Sequence, residues 1–427
     1  MKRAKILFVK TPMPLLVDDA LEADMGLLCV ATFIKQQVEV ETLYLDLSIE
    51  PPEILYETAN DAKIICFSTF TANYCTTIEL VKSLRQRLDK DVVFIAGGHH
   101  ATALPQIVAY DFDYVIVGEG ERACAELVEN IIVGKLPKER IIVSPCIEDL
   151  NTTAPIDYGL VKIEKYTRKL NGRKSISILT SRGCPYCCEF CNSTLTKMYG
   201  VRFRSAENVH GEILYLNKKY GTTAFRIQDD IFSINRPRLR KLAELLEPLH
   251  FDFRCFARID NIDSEMVQLF KRIGISHVSL GIESGSQKIL DSMNKGINIK
   301  NIIQNMRLIK DSGLISRVFL IVGFPGETYA TLDETISLIK AIKPDEISVY
   351  PLIPYPGTPL YNNPEKYGIT YIDKDFSKYY QIYGDKKSGY VFETKQTTIS
   401  ELLDMRNYLV DKVAEVCPWA IDIQSNR

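Results

Sequence analysis

The chain has 427 residues, 46% hydrophobic and 25% charged, the balance of a globular protein with full cores and about three folding units. Its 52 Lys plus Arg against 54 Asp plus Glu leave a net charge of −2, which gives no support for a nucleic-acid partner bound through phosphate neutralisation. No apolar run reaches the roughly 18–20 residues of a membrane span. Met1-Lys2-Arg3-Ala4-Lys5 leads into only four apolar residues before Lys10. That is too short for the apolar stretch of a signal peptide, so the expected location is cytoplasmic.

In chain order, short apolar runs at 6–10, 40–47, 63–69, 92–97 and 114–118 alternate with helical patterns at 22–37, 74–89, 104–110 and 120–133. The runs are continuous rather than alternating, as in strands covered on both faces. The spacing predicts an α/β, doubly wound (Rossmann-like) parallel sheet over 1–135. A less regular stretch, 136–172, reads as a connector with an edge strand at 140–144. Six further strands are expected at 175–181, 224–230, 252–259, 277–283, 317–324 and 346–354, separated by amphipathic segments such as 206–219, 236–248, 264–273, 299–312 and 328–342. Six βα units are too few for a full eight-stranded barrel, so 173–361 is expected to form a partial (β/α)6, TIM-like barrel with its site at the C-terminal strand ends. Residues 362–427 are expected to form a small cap, rich in tyrosine at 367–390 and helical at 398–416.

Eleven cysteines, an odd number, point to thiols or metal ligands rather than a disulfide framework. Seven are scattered and read as small buried hydrophobes. Four cluster in the loop after the first barrel strand, Ser181-Arg182-Gly183-Cys184-Pro185-Tyr186-Cys187-Cys188-Glu189-Phe190-Cys191-Asn192. Three readings compete. A zinc site normally splits four ligands between two separated knuckles, whereas these are contiguous with no second pair nearby. A buried inert patch conflicts with a Gly-Cys-Pro turn, which places thiols on a loop. The third reading takes Cys184, Cys188 and Cys191 as CxxxCxxC metal ligands: three thiolates hold three irons of a [4Fe–4S] cluster and leave the fourth iron open. Cys187 is surplus in that frame.

With Phe190 as the aromatic of CxxxCxΦC, the sequence resembles the radical S-adenosylmethionine (SAM) superfamily. The resemblance continues through Phe203-Arg204-Ser205, Gln228-Asp229-Asp230, Arg258, Gly281-Ile282-Glu283-Ser284-Gly285, Gly323-Phe324-Pro325-Gly326-Glu327-Thr328 and Pro354-Tyr355-Pro356-Gly357-Thr358-Pro359. These landmarks look like those of the branch with an N-terminal cobalamin (vitamin B12)-binding domain. The resemblance implies that SAM chelates the open iron and is cleaved reductively to methionine and a 5′-deoxyadenosyl radical. It places Gln228, Asp229 and Asp230 near the SAM amine, Glu283 and Ser284 near its ribose and methionine parts, and makes Arg258 a partner for its carboxylate.

In the N-terminal domain, the strand ends that would meet a ligand carry Thr11, Ser68, Thr69, Gly97, Gly98, His99, Gly118 and Glu119. Gly-Gly-His-His-Ala-Thr and Val-Gly-Glu-Gly-Glu look like the matching segments of cobalamin domains. The Asp-x-His-x-x-Gly signature of a lower axial histidine is absent, so no cobalt ligand is named; vicinal His99 and His100 read as a polar turn. The expectation is a cobalamin-dependent methyltransferase acting on an unactivated carbon of a small molecule, fed by an external electron donor of flavodoxin or ferredoxin type. The rival is a radical dehydration, deoxygenation, epimerisation, cyclisation or decarboxylation with a vestigial cobalamin domain, for which Cys255, Tyr350 and Tyr355 are candidate hydrogen or electron donors. A third possibility is a non-enzymatic metal-binding or electron-carrier module with four thiolate ligands and no SAM binding.

Overall fold

The computed structural model describes residues 3–13, 20–379 and 389–420. It divides into two compact units, one running to Thr167 and including a short segment from Lys374, the other comprising the remainder from Arg168. No helix among the described residues is long and apolar enough to cross a membrane.

The first unit is a six-stranded parallel sheet: β1 (Lys5–Lys10), β2 (Glu41–Asp46), β3 (Ile64–Ser68), β4 (Val93–Gly97), β5 (Tyr114–Val117) and β6 (Ile141–Val143), in the order β2-β1-β3-β4-β5-β6. Every residue of β3 is buried, which is why its sequence is an unbroken apolar run. Crossing from β2 over β1 to β3 requires a connecting element. The helix Glu53–Ala59, absent from the sequence expectation, supplies it. The helix expected at 104–110 is instead two short ones, His99–Ala103 and Pro105–Val108. Pro105 has no N–H to extend the first helix but suits the opening turn of the second. The order reverses direction between β1 and β3, so the C-terminal ends of those strands form the crevice where such sheets take ligands.

The second unit carries six parallel strands paired in strict chain order: β7 (Ile176–Ile178), β8 (Ala224–Ile227), β9 (Asp252–Ala257), β10 (Ile275–Glu283), β11 (Ile315–Val322) and β12 (Glu346–Pro351). The first and last do not pair, so this is the expected open, partial barrel. Register separates its two faces. Phe225, Phe253, Cys255, Val278, Leu280, Val318, Leu320 and Val349 lie on one face, all nearly inaccessible, as residues under covering helices should be. The other face carries Arg226, Arg254, Phe256, Ser279, Arg317, Phe319, Ser348 and Tyr350, several of them half-buried. Polar and aromatic side chains therefore line the inner face of the barrel, Arg226, Arg254, Ser279 and Ser348 buried and the other four half-buried.

The tail adds an antiparallel pair, Ile369–Ile372 with Phe392–Thr394, and the helix Ile399–Val416. Thr398 and Glu401 start that helix with a reciprocal capping box. Of the tail tyrosines, Tyr390 is buried and donates to the Val322 carbonyl at 3.0 Å; Tyr380 and Tyr383 lie outside the described residues.

Candidate functional site

The cysteine loop follows β7 and is held at both ends. At its start, the buried Asp229 carboxylate accepts from the Thr180 and Ser181 amides at 2.6 and 3.0 Å and from both hydroxyls. The Thr180 carbonyl accepts from the Arg204 amide at 3.0 Å and the Arg238 guanidinium at 2.9 Å. Gly183, at φ 89°, then turns the chain: a Cβ there would stand 2.4 Å from the Gly200 carbonyl oxygen, so only glycine fits. At the far end, the Glu189 amide donates to the Met293 carbonyl at 3.0 Å, and Tyr367 donates to the Glu189 carboxylate at 2.6 Å.

Cys184, Cys188 and Cys191 influence one another electrostatically. Burial pushes the Cys184 thiol up to about 11, with Asp230 and the other two sulfurs adding to the rise. Burial also raises Cys188, but Lys295 and Arg258 pull the other way by favouring its thiolate. Arg258 Nη1 lies 3.9 Å from the Cys188 sulfur. The same guanidinium grips Asp260 through two nitrogens at 3.0 Å, donates to the Lys295 carbonyl at 2.6 Å and sits 3.5 Å above the Tyr186 ring. Lys295 in turn pairs with Glu283 at 2.7 Å, both buried, and lies 5.7 Å from the centre of the Phe190 ring. Cys187 points elsewhere. Its sulfur accepts from Lys197 and its carbonyl from Asn294.

Asp230 is exposed, within 3.3 Å of the Ser193 hydroxyl. Gln228 donates to Ser177 at 3.1 Å. Glu283 has φ 66°, a left-handed conformation rare outside glycine, at the bulged end of β10. Such strain persists where surrounding contacts enforce it, and here the Lys295 ammonium does so. Gly281 is required beneath it, because a Cβ there would meet the Glu283 carboxylate at 2.2 Å. The Ser284 hydroxyl is committed to Thr335 at 3.3 Å and the Ser286 amide at 3.1 Å. Cys255 faces the covering helices, fully buried, while Tyr350 lies on the inner face.

In the first unit, Thr11 bonds Thr77 at 2.7 Å, Thr69 bonds the Gly97 carbonyl at 2.8 Å, and Glu119 accepts from the Ile147 amide at 2.9 Å. Gly118 receives support from the Thr102 hydroxyl at 3.1 Å. Gly97, Gly98 and Ser68 keep the rim small. His99 is exposed, stacked on Phe70 at 5.5 Å. His100 is buried between Tyr74 at 4.2 Å and Phe376 at 4.7 Å, and burial lowers its pKa to about 4. Its Nδ1 meets Thr71 at 3.0 Å, whereas its Nε2 and the Tyr74 hydroxyl have no hydrogen-bond partner among the described residues.

With this geometry in hand, the comparisons with known proteins are specific. Residues 178–339 match the radical SAM superfamily and residues 19–128 the B12 binding domain. An uncharacterized methyltransferase of Pyrococcus horikoshii is 30% identical over 66% of this chain and 65% of its own. A relative from Methanocaldococcus jannaschii, named for methylthio transfer, is 30% identical over 70% of this chain and 69% of its own. The chain belongs to the radical SAM superfamily, in the branch with an N-terminal B12-binding domain. The radical SAM methyltransferase TsrM of Kitasatospora setae, solved with cobalamin and a [4Fe–4S] cluster, superposes with a TM-score of 0.71 at 15% identity, covering 97% of this chain and 89% of that one. At that identity the likeness bears on the fold. This radical SAM chain spans 54–65% of the length of the first three curated relatives it matches.

The cofactors of this branch are a [4Fe–4S] cluster, SAM and cobalamin, and the residues present suit them. Three soft, mutually interacting thiols are the donor set of such a cluster. Among the described residues no three His, Cys, Asp or Glu side chains are arranged to hold a metal ion. A four-iron cluster does not ask for convergence on one ion, since each thiolate bonds its own iron. For the corrinoid, glycines and small hydroxyl residues line the strand ends at the crevice, and the buried His100 Nε2 and Tyr74 hydroxyl have no hydrogen-bond partner among the described residues. Sequence reasoning missed Lys295 and Asp260, and read His100 only as part of a polar turn. Lys295 lies twelve residues beyond Glu283, with no motif to mark it.

Proposed function

We propose that this protein methylates an unactivated carbon of a small molecule, using SAM both as radical source and as methyl donor. The observation that carries this reading is the turning away of Cys187. It leaves Cys184, Cys188 and Cys191 as the three thiols of one loop, in a chain that also bears a B12-binding domain. When bound, the cluster and the corrinoid supply the electron that cleaves SAM to a 5′-deoxyadenosyl radical and a carrier for the methyl group.

The chain's own residues do the rest. Cys184, Cys188 and Cys191 would hold the cluster, one iron each. Arg258 and Lys295 hold positive charge beside the Cys188 sulfur and favour its thiolate. Asp230 and Gln228, at the end of β8, orient the SAM amine, and the Asp229 carboxylate acts through Thr180 and Ser181 by fixing the loop's root. Glu283 and Phe190 border the SAM ribose and methionine side. Thr11, Ser68, Thr69, Gly97, Gly98, His99, Gly118 and Glu119 form the corrinoid rim. An external flavodoxin- or ferredoxin-type protein supplies electrons, and the reduced thiols suit the cytoplasm.

The test is anaerobic reconstitution with iron, sulfide and corrinoid, then reaction with SAM and reductant. This reading expects 5′-deoxyadenosine together with S-adenosylhomocysteine, the latter lost when corrinoid is left out. Formation of 5′-deoxyadenosine with no S-adenosylhomocysteine at any corrinoid concentration refutes methyl transfer and supports the rival radical chemistry.

A further inference from the structure

One face of the barrel sheet carries a group of arginines, two of which point their guanidinium groups at neutral hydroxyls. Arg226 and Arg254 are register partners on β8 and β9, and Arg317, two residues further along on β11, projects from the same face. Arg226 and Arg254 are buried, at 6% and 8% exposure. Two nitrogens of Arg254 go to a single neutral oxygen, the Ser279 hydroxyl, at 3.0 and 2.9 Å. Arg317 repeats the arrangement on Ser348 at 3.1 and 2.9 Å. Among the described residues Arg254 has no ion pair, and Arg317 has only Glu346 at 3.6 Å. Asp252, the other nearby acid, is taken by Arg173 at 2.8 Å.

A guanidinium is built to meet a planar anion with two parallel N–H bonds, and a buried charge held only by a hydroxyl is costly to keep. Two such arginines on one face, Arg254 buried and Arg317 half-buried, are arranged as a receptor for an anion. Directly above them on the same face lies an aromatic ladder. Phe256 stacks on Phe319 at 6.2 Å and Phe319 packs on Tyr350 at 6.1 Å. All three rings are half-buried. Phe256 and Phe319 belong to strands on either side of β10, where Ser279 and Gly281 are their register partners.

From Arg254 to Arg258 is four residues along one strand, about 13 Å, and Arg258 touches the Cys188 sulfur. An anion seated on the arginines and a body lying along the ladder therefore bring the far end of the molecule toward the cluster loop.

We infer that the concave face of the barrel binds a substrate with an anionic head, carboxylate or phosphate, on an aromatic or planar apolar body, the head being held by Arg254 and Arg317. Identifying the bound molecule as the substrate rests on the methyl-transfer reading; the binding itself does not.

The probes are 3-phenylpropionate, phenyl phosphate and the uncharged 3-phenylpropionamide, with dissociation constants measured by ligand-observed NMR on the full-length, cluster-reconstituted protein. At least one anion should bind about tenfold or more tightly than the amide, and the tighter of the two names the head group. Arg254→Gln and Arg317→Gln should each remove that preference while leaving amide binding as it was. Should Arg254→Gln fail to fold, judged from its melting curve, the half-buried Arg317 position decides alone. Equal binding of amide and both anions, or a preference for the anion that survives in every folded variant, overturns the inference. A protein that binds the anions but yields no 5′-deoxyadenosine from SAM would refute the proposed function and leave the anion site standing.

Discussion

Asp229 offers the sharpest distinction between contacting SAM and shaping the loop that does. It stands beside Asp230 in sequence, but its carboxylate is filled by two backbone amides and two hydroxyls from Thr180 and Ser181. Replacing it with alanine strands both buried amides, at about 1–3 kcal/mol each, and removes two hydroxyl bonds to a charged acceptor. The sum is about 3–6 kcal/mol, which for a unit of this size corresponds to a melting temperature lower by roughly 10 °C. The assay is thermal unfolding of the iron-free protein followed by circular dichroism, so that lost cofactor binding cannot contribute. Asp229→Asn keeps one acceptor oxygen and should lose about half as much. An Asp229→Ala protein that melts within about 2 °C of the parent, yet no longer binds SAM, would refute the clamp and make Asp229 a cofactor contact.

Three further outcomes are expected. Lys295→Met leaves the buried Glu283 without its partner and should cost about 3–5 kcal/mol in chemical denaturation, with most of the loss recovered on adding Glu283→Gln. Glu327, fully buried and accepting from the Gly323 amide at 2.6 Å, is pushed by burial from 4.5 up to about 8. The unfolded chain therefore releases this proton near pH 4.5 while the folded chain keeps it, and between those values stability falls as pH rises, by about 1.4 kcal/mol per pH unit from this group. Glu327→Gln should flatten that decline in denaturant titrations at pH 5, 6.5 and 8; an unchanged slope would show that Glu327 ionises normally. Cys187→Ser should retain the iron content of the parent after reconstitution, whereas Cys184→Ser, Cys188→Ser and Cys191→Ser should each lower it; iron loss in Cys187→Ser would make Cys187 a ligand.

The sheet strands were legible because strands covered on both faces read as unbroken apolar runs, as Ile64–Ser68 does. The helix Glu53–Ala59 was not, since seven residues behind two prolines give too little period to register. In the cluster loop, spacing alone marked which three cysteines to group, but the direction of Cys187 is set by Lys197 and Asn294, one of them more than a hundred residues away. Asp229 and Asp230 look alike in sequence and differ because the Asp229 carboxylate is taken up by Thr180 and Ser181 while Asp230 stands exposed beside Ser193. The arginine face did leave a trace. Ala-Phe-Arg-Ile, Asp-Phe-Arg-Cys and Ile-Ser-Arg-Val place arginine at the third position of three successive or near-successive strands. A period-two reading of the barrel strands would have found it.

The most direct measurement is electron paramagnetic resonance of the reconstituted, reduced protein with and without SAM. An iron that no cysteine occupies should be reached by the added sulfonium compound, and the spectrum of the reduced cluster should change on its addition. Identical spectra from a fully loaded protein would mean that every iron is already closed off, and the account would fail there.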